Sequence, residues 1–175
     1  ANNLLSRKTR VDMSMSDGIL PQEYAVGVKE TINLPASVIE DRFGLEPGQG
    51  AALDFIGVPF EGVIGGGFIY TQNETVSLGF AARLETLQHS KIGPNELLER
   101  FKQHPEVRKY IRGGELVEYS AHLIPEGGFQ AVPQLGANGL LIAGDAAGLV
   151  NMSLYKEGTN HAMASGKLAG ETVAN

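Results

Sequence analysis

The chain has 175 residues, of which 42% are hydrophobic and 19% charged, enough apolar material for one ordinary core or for one domain with part of another, and too much for a disordered segment. A formal charge of -6 argues against a nucleic-acid surface, which carries a basic face. Cysteine is absent, which excludes a disulfide, a thiolate nucleophile and any cysteine-ligated zinc or iron–sulfur centre within these residues, and is compatible with a reducing cytosol.

No apolar run is long enough for a bilayer span: the most apolar stretch, 51–70, is crowded with glycine and interrupted by Asp54 and Glu61. Ala1 to Arg7 lack a signal-peptide pattern. The chain opens on Ala rather than Met and is read as an interior portion of a longer polypeptide.

Residues 2–8 are expected to form a short helix, and Thr9 to Asp17 an irregular segment in which Met13 and Met15 alternate with polar residues. Between Tyr24 and Leu34 the residues Val26, Val28, Ile32 and Leu34 share one parity, broken at Glu30, the two-residue period of a half-buried strand. Pro35 to Phe43 reads as a short helix with proline at its start, closed by Gly44. Strands are expected over Ala51–Ile56 and Gly67–Thr71, and Val76, Leu78, Phe80 and Ala82 mark a third, with Asn73-Glu74 as the hairpin connection, so a small antiparallel unit forms here. Leu97, Leu98 and Phe101 stand at helical spacing in Pro94–Phe101, and Pro105 interrupts or restarts that helix before Val107–Ile111. Leu116 to Ile124 returns as a strand. Residues 125–138 are turn-rich around a short strand near Phe129–Val132.

The run Gly139 to Asn151 carries the chemistry. An apolar strand, Leu140–Ala143, stops at Gly144-Asp145, small residues follow, and Gly158-Thr159-Asn160 opens a final helix to about Val173. This pattern brings one carboxylate and several backbone N–H groups toward the same ligand: a strand-end Asp accepts hydrogen bonds from sugar hydroxyls, and helix-start amides favour phosphate or another electron-rich group. Taken singly, Asp145 is more often a turn or N-cap residue than a ligand. In the last helix Ala162, Ser165, Gly166, Ala169 and Gly170 place small side chains on neighbouring faces. Each glycine weakens it by about 1 kcal/mol against alanine, so close packing against a sheet or cofactor is expected to compensate.

Gly65-Gly66-Gly67-Phe68-Ile69-Tyr70 is a second candidate. Its glycines permit close backbone approach and Phe68 and Tyr70 suit the walls of a flat ring, although a glycine bulge before an ordinary strand explains it too. No Lys-Ser/Thr pair follows, so it is not a phosphate loop. His122 is a third, either as a proton relay or as a hydrogen-bonded strand-end histidine. Lys156, Glu157 and His161 do not have metal-site spacing, no metal motif occurs, and Ser6, Ser120 and Ser153 lack a nucleophile elbow.

Residues 139–173 resemble the second FAD-binding motif of the FixC and electron-transfer-flavoprotein:quinone oxidoreductase family, within the hydroxylase-like FAD flavoproteins. Gly18 to Glu30, Ile39 to Phe43, and Gly113-Gly114 before Leu116 to His122 extend the resemblance over nearly the whole chain. The resemblance implies an α/β (mixed α+β) fold: a substrate-domain β-sheet with helices, plus the C-terminal part of a hydroxylase-like, glutathione-reductase-type FAD-binding domain. Residues 1–17 are then a remnant of the FAD-binding domain and linker, 18–124 the quinone-side substrate domain, and 125–175 the returning part of the FAD-binding domain.

By the same resemblance, Asp145 binds the ribityl or neighbouring phosphate region of FAD, with Gly144 and Ala146 admitting the cofactor. The amides at Gly158, Thr159 and Asn160 face the flavin pyrimidine ring, where a helix N-terminus stabilises negative charge by about 0.3–1 kcal/mol. Gly66 and Gly67, with Phe68 and Tyr70, fall on the quinone side. The expected activity is transfer of electrons from an electron-transfer flavoprotein, through FAD, to a quinone or other redox acceptor, in a cytoplasmic protein with peripheral contact at the inner membrane face. The alternatives are a geranylgeranyl-reductase-like flavoenzyme and a non-catalytic α/β interaction domain. The family's Gly-x-Gly-x-x-Gly segment is not among these residues, so the 175 residues alone are expected to be inactive and to bind FAD weakly or not at all.

Overall fold

A computed structural model of the chain describes residues 8–9, 12–15, 21–57, 60, 62–151 and 158–174. The chain divides into two compact units, Val26–His122 and Ala1–Ala25 with Leu123–Asn175. Along the chain run β1 (Tyr24–Asn33), α1 (Ala36–Phe43), β2 (Ala52–Phe55), β3 (Gly65–Thr71), β4 (Thr75–Arg83), α2 (Leu84–Ser90), α3 (Pro94–Gln103), α4 (Pro105–Ile111), β5 (Glu115–Pro125), β6 (Gly136–Ala137), β7 (Leu140–Leu141) and α5 (Thr159–Ala174). The chain is thus a mixed α/β fold.

The larger unit is built on a five-stranded sheet in the order β2-β3-β4-β1-β5, with β2 antiparallel to β3 and β3 antiparallel to β4. Alternation along β4 sends Val76, Leu78, Phe80 and Ala82 to one face, where they are fully buried with Ile69 of β3. Leu97, Leu98 and Phe101 of α3, Val107 and Ile111 of α4 and Ile39 of α1 close over that face in one continuous core. Phe101 meets Phe55 edge to face at 5.3 Å, and Phe60 lies 5.4 Å from Phe101 and 5.9 Å from Phe80. The turn between β3 and β4 is closed by Gln72 N–H donating to the Thr75 carbonyl at 2.8 Å.

The helix boundaries follow the expected local chemistry. Pro35 precedes α1, and Gly44 ends it in the left-handed region at φ 64°, its N–H donating to helix carbonyls. Pro105 separates α3 from α4, and His104 between them uses Nδ1 to accept the Glu106 N–H at 3.3 Å. α2 has no counterpart in the sequence reading. Seven residues with one buried side chain, Leu87, and no side-chain cap leave no helical period to detect.

β1 is buried on both faces, not half-buried as its period implies. It is an interior strand flanked by β4 and β5, and its second face carries small or paired residues: Ala25, Gly27, and Thr31, whose hydroxyl donates to Glu118 Oε2 at 3.1 Å. Glu30, the apparent break in the pattern, is 5% exposed on the core face and forms an ion pair with Lys102 of α3 at 2.9 Å.

In the smaller unit Met15, Ile142 and Ala147 form the buried cluster. The strand expected near Phe129–Val132 is a 3-10 turn, Phe129–Ala131, entered through Gly128 at φ 73°. The strand expected over Leu140–Ala143 pairs only at Leu140–Leu141, because its partner β6 is two residues long; Ala143 remains extended without a ladder partner. Most of the helix expected at 2–8 lies outside the described residues. Lys8, Thr9 and Asp12 are helical, and Met13 N–H donates to the Thr9 carbonyl at 2.9 Å, so helical structure reaches into the segment expected to be irregular. α5 forms as expected; none of its described residues is buried, and nothing among the described residues stands within 4 Å of a Cβ placed at Gly166 or Gly170. Among the described residues no helix is long and apolar enough to cross a membrane.

Candidate functional site

The smaller unit gathers the Gly144–Ala147 turn and the start of α5. Gly144 adopts φ 59° and a Cβ there would stand 3.2 Å from the Ala162 Cβ, so glycine satisfies both the left-handed backbone and the close approach. Its N–H donates to Ser165 Oγ at 2.9 Å, and the Ser165 hydroxyl donates to the His161 carbonyl at 2.7 Å. Gly148 N–H and Leu149 N–H return to the Asp145 and Gly144 carbonyls at 3.0 and 3.2 Å, which fixes the turn from within.

Held in this way, Asp145 is half-buried and its Oδ1 lies 3.9 Å from where a Gly158 Cβ would stand. The two halves of the sequence motif therefore meet: the carboxylate sits beside the glycine that opens α5. A Cβ at 158 would stand in ordinary van der Waals contact with the carboxylate. Thr159 and Asn160 are exposed, Asn160 Oδ1 accepts the His161 N–H at 3.0 Å, and Ala162 N–H begins the helical ladder on the Gly158 carbonyl at 2.8 Å. Ala146 is half-buried within the turn. Ser165 and Ala162 are the parts that sequence reasoning missed; both stand in the small-residue stripe, which showed permissiveness without showing that a hydroxyl would clip the turn to the helix. Lys156 and Glu157 lie outside the described residues.

In the larger unit the glycine-aromatic run is a regular strand. Gly65 to Thr71 pair one to one with Ala82 to Val76, so the bulge reading is corrected. Gly67 faces the core, where a Cβ would stand 2.5 Å from Phe101 Cζ. Its missing side chain thus makes room for a buried ring on the helix side. Gly66, Phe68 and Tyr70 alternate to the other face, and the Phe68 and Tyr70 rings stack at 4.9 Å and 18°. Tyr70 is 38% exposed; burial, followed by the charge of Asp54, pushes its hydroxyl above the usual tyrosine value.

His122 is exposed on β5. It shares parity with Glu118, which meets Lys29 at 3.6 Å and Thr31 on the face away from α3, whereas Tyr119 reaches Asn95 of α3 at 2.8 Å. His122 therefore projects on the same face as Phe68 and Tyr70, but three strand spacings from β3, about 14 Å. Among the described residues no three His, Asp or Glu side chains gather as a metal site.

The fold has counterparts among solved structures of low sequence identity. It superposes on a variant of the flavin-dependent brominase Bmp2 with a TM-score of 0.63 at 16% identity, covering 99% of this chain and 42% of that one. On a geranylgeranyl bacteriochlorophyll reductase-like protein from Thermoplasma acidophilum the TM-score is 0.57 at 15% identity, covering 87% and 34%. At these identities the likeness is one of fold.

Residues 24–124 match the family model described as ETF-QO, ubiquinone-binding, and the chain belongs to that family. It is 48% identical over 173 residues to protein FixC of Escherichia coli (strain K12), covering 98% of this chain and 40% of that protein. To the probable electron transfer flavoprotein-quinone oxidoreductase YdiS of the same strain it is 44% identical over 173 residues, covering 98% and 39%. To protein FixC of Rhizobium meliloti (strain 1021) it is 45% identical over 153 residues, covering 87% and 35%. The chain spans about two-fifths of the length of these relatives.

Proposed function

We propose that this chain is the quinone-side part and the flavin-side return of a FAD-dependent oxidoreductase that receives electrons from an electron-transfer flavoprotein and delivers them to a quinone. The observation that carries this reading is the family match over residues 24–124, which takes in the whole five-stranded sheet with its glycine-aromatic strand. In domain terms, residues 1–17 are the end of the FAD-binding domain and its linker, 18–124 the quinone-side domain, and 125–175 the returning part of the FAD-binding domain.

The donor set at 144–146 and 158–160 suits FAD. A half-buried carboxylate accepts hydrogen bonds from ribityl hydroxyls, and Gly158 lies beside it, a notional Cβ standing 3.9 Å from Oδ1. The Thr159 and Asn160 amides precede the helical ladder, which begins at Ala162, and present partial positive charge. Gly144 and Ala146 add little bulk at the turn. FAD, when bound, supplies the redox chemistry; the chain's residues bind, orient and exclude water. On the quinone side the stacked Phe68 and Tyr70 rings offer a flat apolar surface, and Gly66 lies on the same face of the strand, buried beside them. His122 lies three strands from β3, so the proton-relay role is kept for it without a contact to the Phe68 and Tyr70 rings.

The test uses the full-length flavoprotein under anaerobic conditions. Reduced electron-transfer flavoprotein should bleach its flavin absorbance, and a short-chain ubiquinone should restore it. A flavin that stays oxidised beside the donor, or that returns electrons only to a prenyl double bond, would overturn the reading. Full-length protein that is colourless after expression in flavin-replete cells would favour an interaction domain.

A further inference from the structure

The register of the central hairpin contains a reciprocal exchange of glycine and phenylalanine. Gly67 of β3 stands opposite Phe80 of β4, and the next pair is Phe68 opposite Gly79. On the core face Gly67 makes room for Phe101. On the other face Gly79 is buried, and a Cβ there would stand 2.8 Å from Phe68 Cζ, as well as 2.0 Å from the Val28 carbonyl oxygen and 3.0 Å from the Lys29 Cα. The Phe68 ring thus lies down over its cross-strand partner instead of standing up from the sheet, and Tyr70 stacks on it at 4.9 Å and 18°.

An aromatic ring laid over a cross-strand glycine covers backbone that would otherwise be bare and gains contact area against it. With any side chain at 79 that seat is filled. Phe68 would then rotate away from the sheet and take with it the surface on which Tyr70 stacks.

We propose that Gly79 is a positioning residue for the quinone side, acting through Phe68: it seats the Phe68 ring flat on the sheet and thereby sets the plane of the Phe68–Tyr70 plate against which the quinone head group rests. The inference depends on the quinone reading above. Phe68 and Tyr70 touch the substrate in this scheme, and Gly79 does not.

The experiment uses the full-length holoprotein with a short-chain ubiquinone as acceptor, and fluorotyrosine labelling with Tyr70→Phe to assign the Tyr70 fluorine resonance. Gly79→Ala and Phe68→Leu should each abolish the ring-current shift that Phe68 imposes on Tyr70. Each should raise the quinone KM by about three- to tenfold, the equivalent of one aromatic contact. Bound FAD should be unchanged, and kcat of Gly79→Ala should fall less than twofold. The double variant should match Phe68→Leu alone, because the glycine acts through the ring. Phe68→Tyr, which keeps a ring at this position, should retain more of the shift and raise the KM less than Phe68→Leu.

Multiplicative effects in the double variant, a Tyr70 shift retained in Gly79→Ala, or a lost shift with unaltered KM would each overturn the proposal. If the Val28 and Lys29 contacts prevent Gly79→Ala from folding, Phe68→Leu against Phe68→Tyr decides it: equal KM values overturn it. Absence of quinone turnover in the unmodified holoprotein overturns the functional reading itself, and the Tyr70 resonance then still reports whether Gly79 seats the ring.

Discussion

Two glycines show how one residue type performs different tasks in this chain. Gly67 is required from the core side, because Phe101 occupies the space of its side chain and is itself fully buried. Gly67→Ala should therefore destabilise the fold by about 1–3 kcal/mol, the usual cost of overpacking, seen as a lower urea midpoint with unchanged slope; an unchanged midpoint would show that the ring yields freely. Gly158 is instead adjacent to the Asp145 carboxylate. On the FAD reading, Asp145→Asn removes a charge-assisted acceptor worth about 1.5–3 kcal/mol, so the full-length apoprotein should bind FAD about ten- to a hundredfold more weakly. Flavin-fluorescence titration measures this, and equal affinity of the two proteins would remove Asp145 from the site. The carboxylate and the glycine turn were legible in the sequence. Ser165 and Gly79 were not, since a hydroxyl clip between elements and a cross-strand seat exist only once two segments are placed together.

At the scale of elements, α3 is held to the sheet by its apolar stripe and by one ion pair. Lys102 lies between Glu99 at 2.7 Å and the buried Glu30 at 2.9 Å. Burial acts to lower its pKa, but the bonds to Glu99 and Glu30 outweigh it and the ammonium is raised above the ordinary 10.5. A group whose pKa is higher folded than unfolded contributes its full stabilisation below the unfolded value and loses it as pH rises through the folded one. The pair's contribution is thus intact at neutral pH and fades above about 10.5. Lys102→Met should lose that component of alkaline destabilisation, so the difference in unfolding midpoint between the two proteins should narrow as pH increases above this value; a constant difference would contradict the assignment. Helices α1, α3 and α4 were readable because proline, glycine and the spacing of Leu97, Leu98 and Phe101 are local signals. α2 was not, as its packing rests on Leu87 alone. For β7, pairing depends on how much of β6 lies beside it, which no local pattern encodes.

Over the whole molecule, burial is distributed unevenly between the two units. The larger unit has a continuous core of buried side chains from β1, β3, β4 and its helices, whereas the buried cluster of the smaller one is Met15, Ile142 and Ala147, and Met163, Leu168 and Val173 of α5 are at 71%, 63% and 78% exposure. Opening free energy follows buried contact. Amide exchange of this chain should accordingly be faster in α5 than in β4 and β1; protection of α5 equal to that of β4 would refute the ranking. The acidic composition, the absence of cysteine, the boundaries at Pro35, Gly44, Pro94 and Pro105 and the alternation of β4 are properties of neighbouring residues, so the sequence by itself determined them. The two-sided burial of β1, the ion pair of Glu30 with a helix 72 positions away, the seat of Phe68 on Gly79 and the meeting of Asp145 with Gly158 are contacts between distant segments. Only the tertiary structure decided these, because whether a side chain has room, partner or solvent depends on what the rest of the chain places beside it.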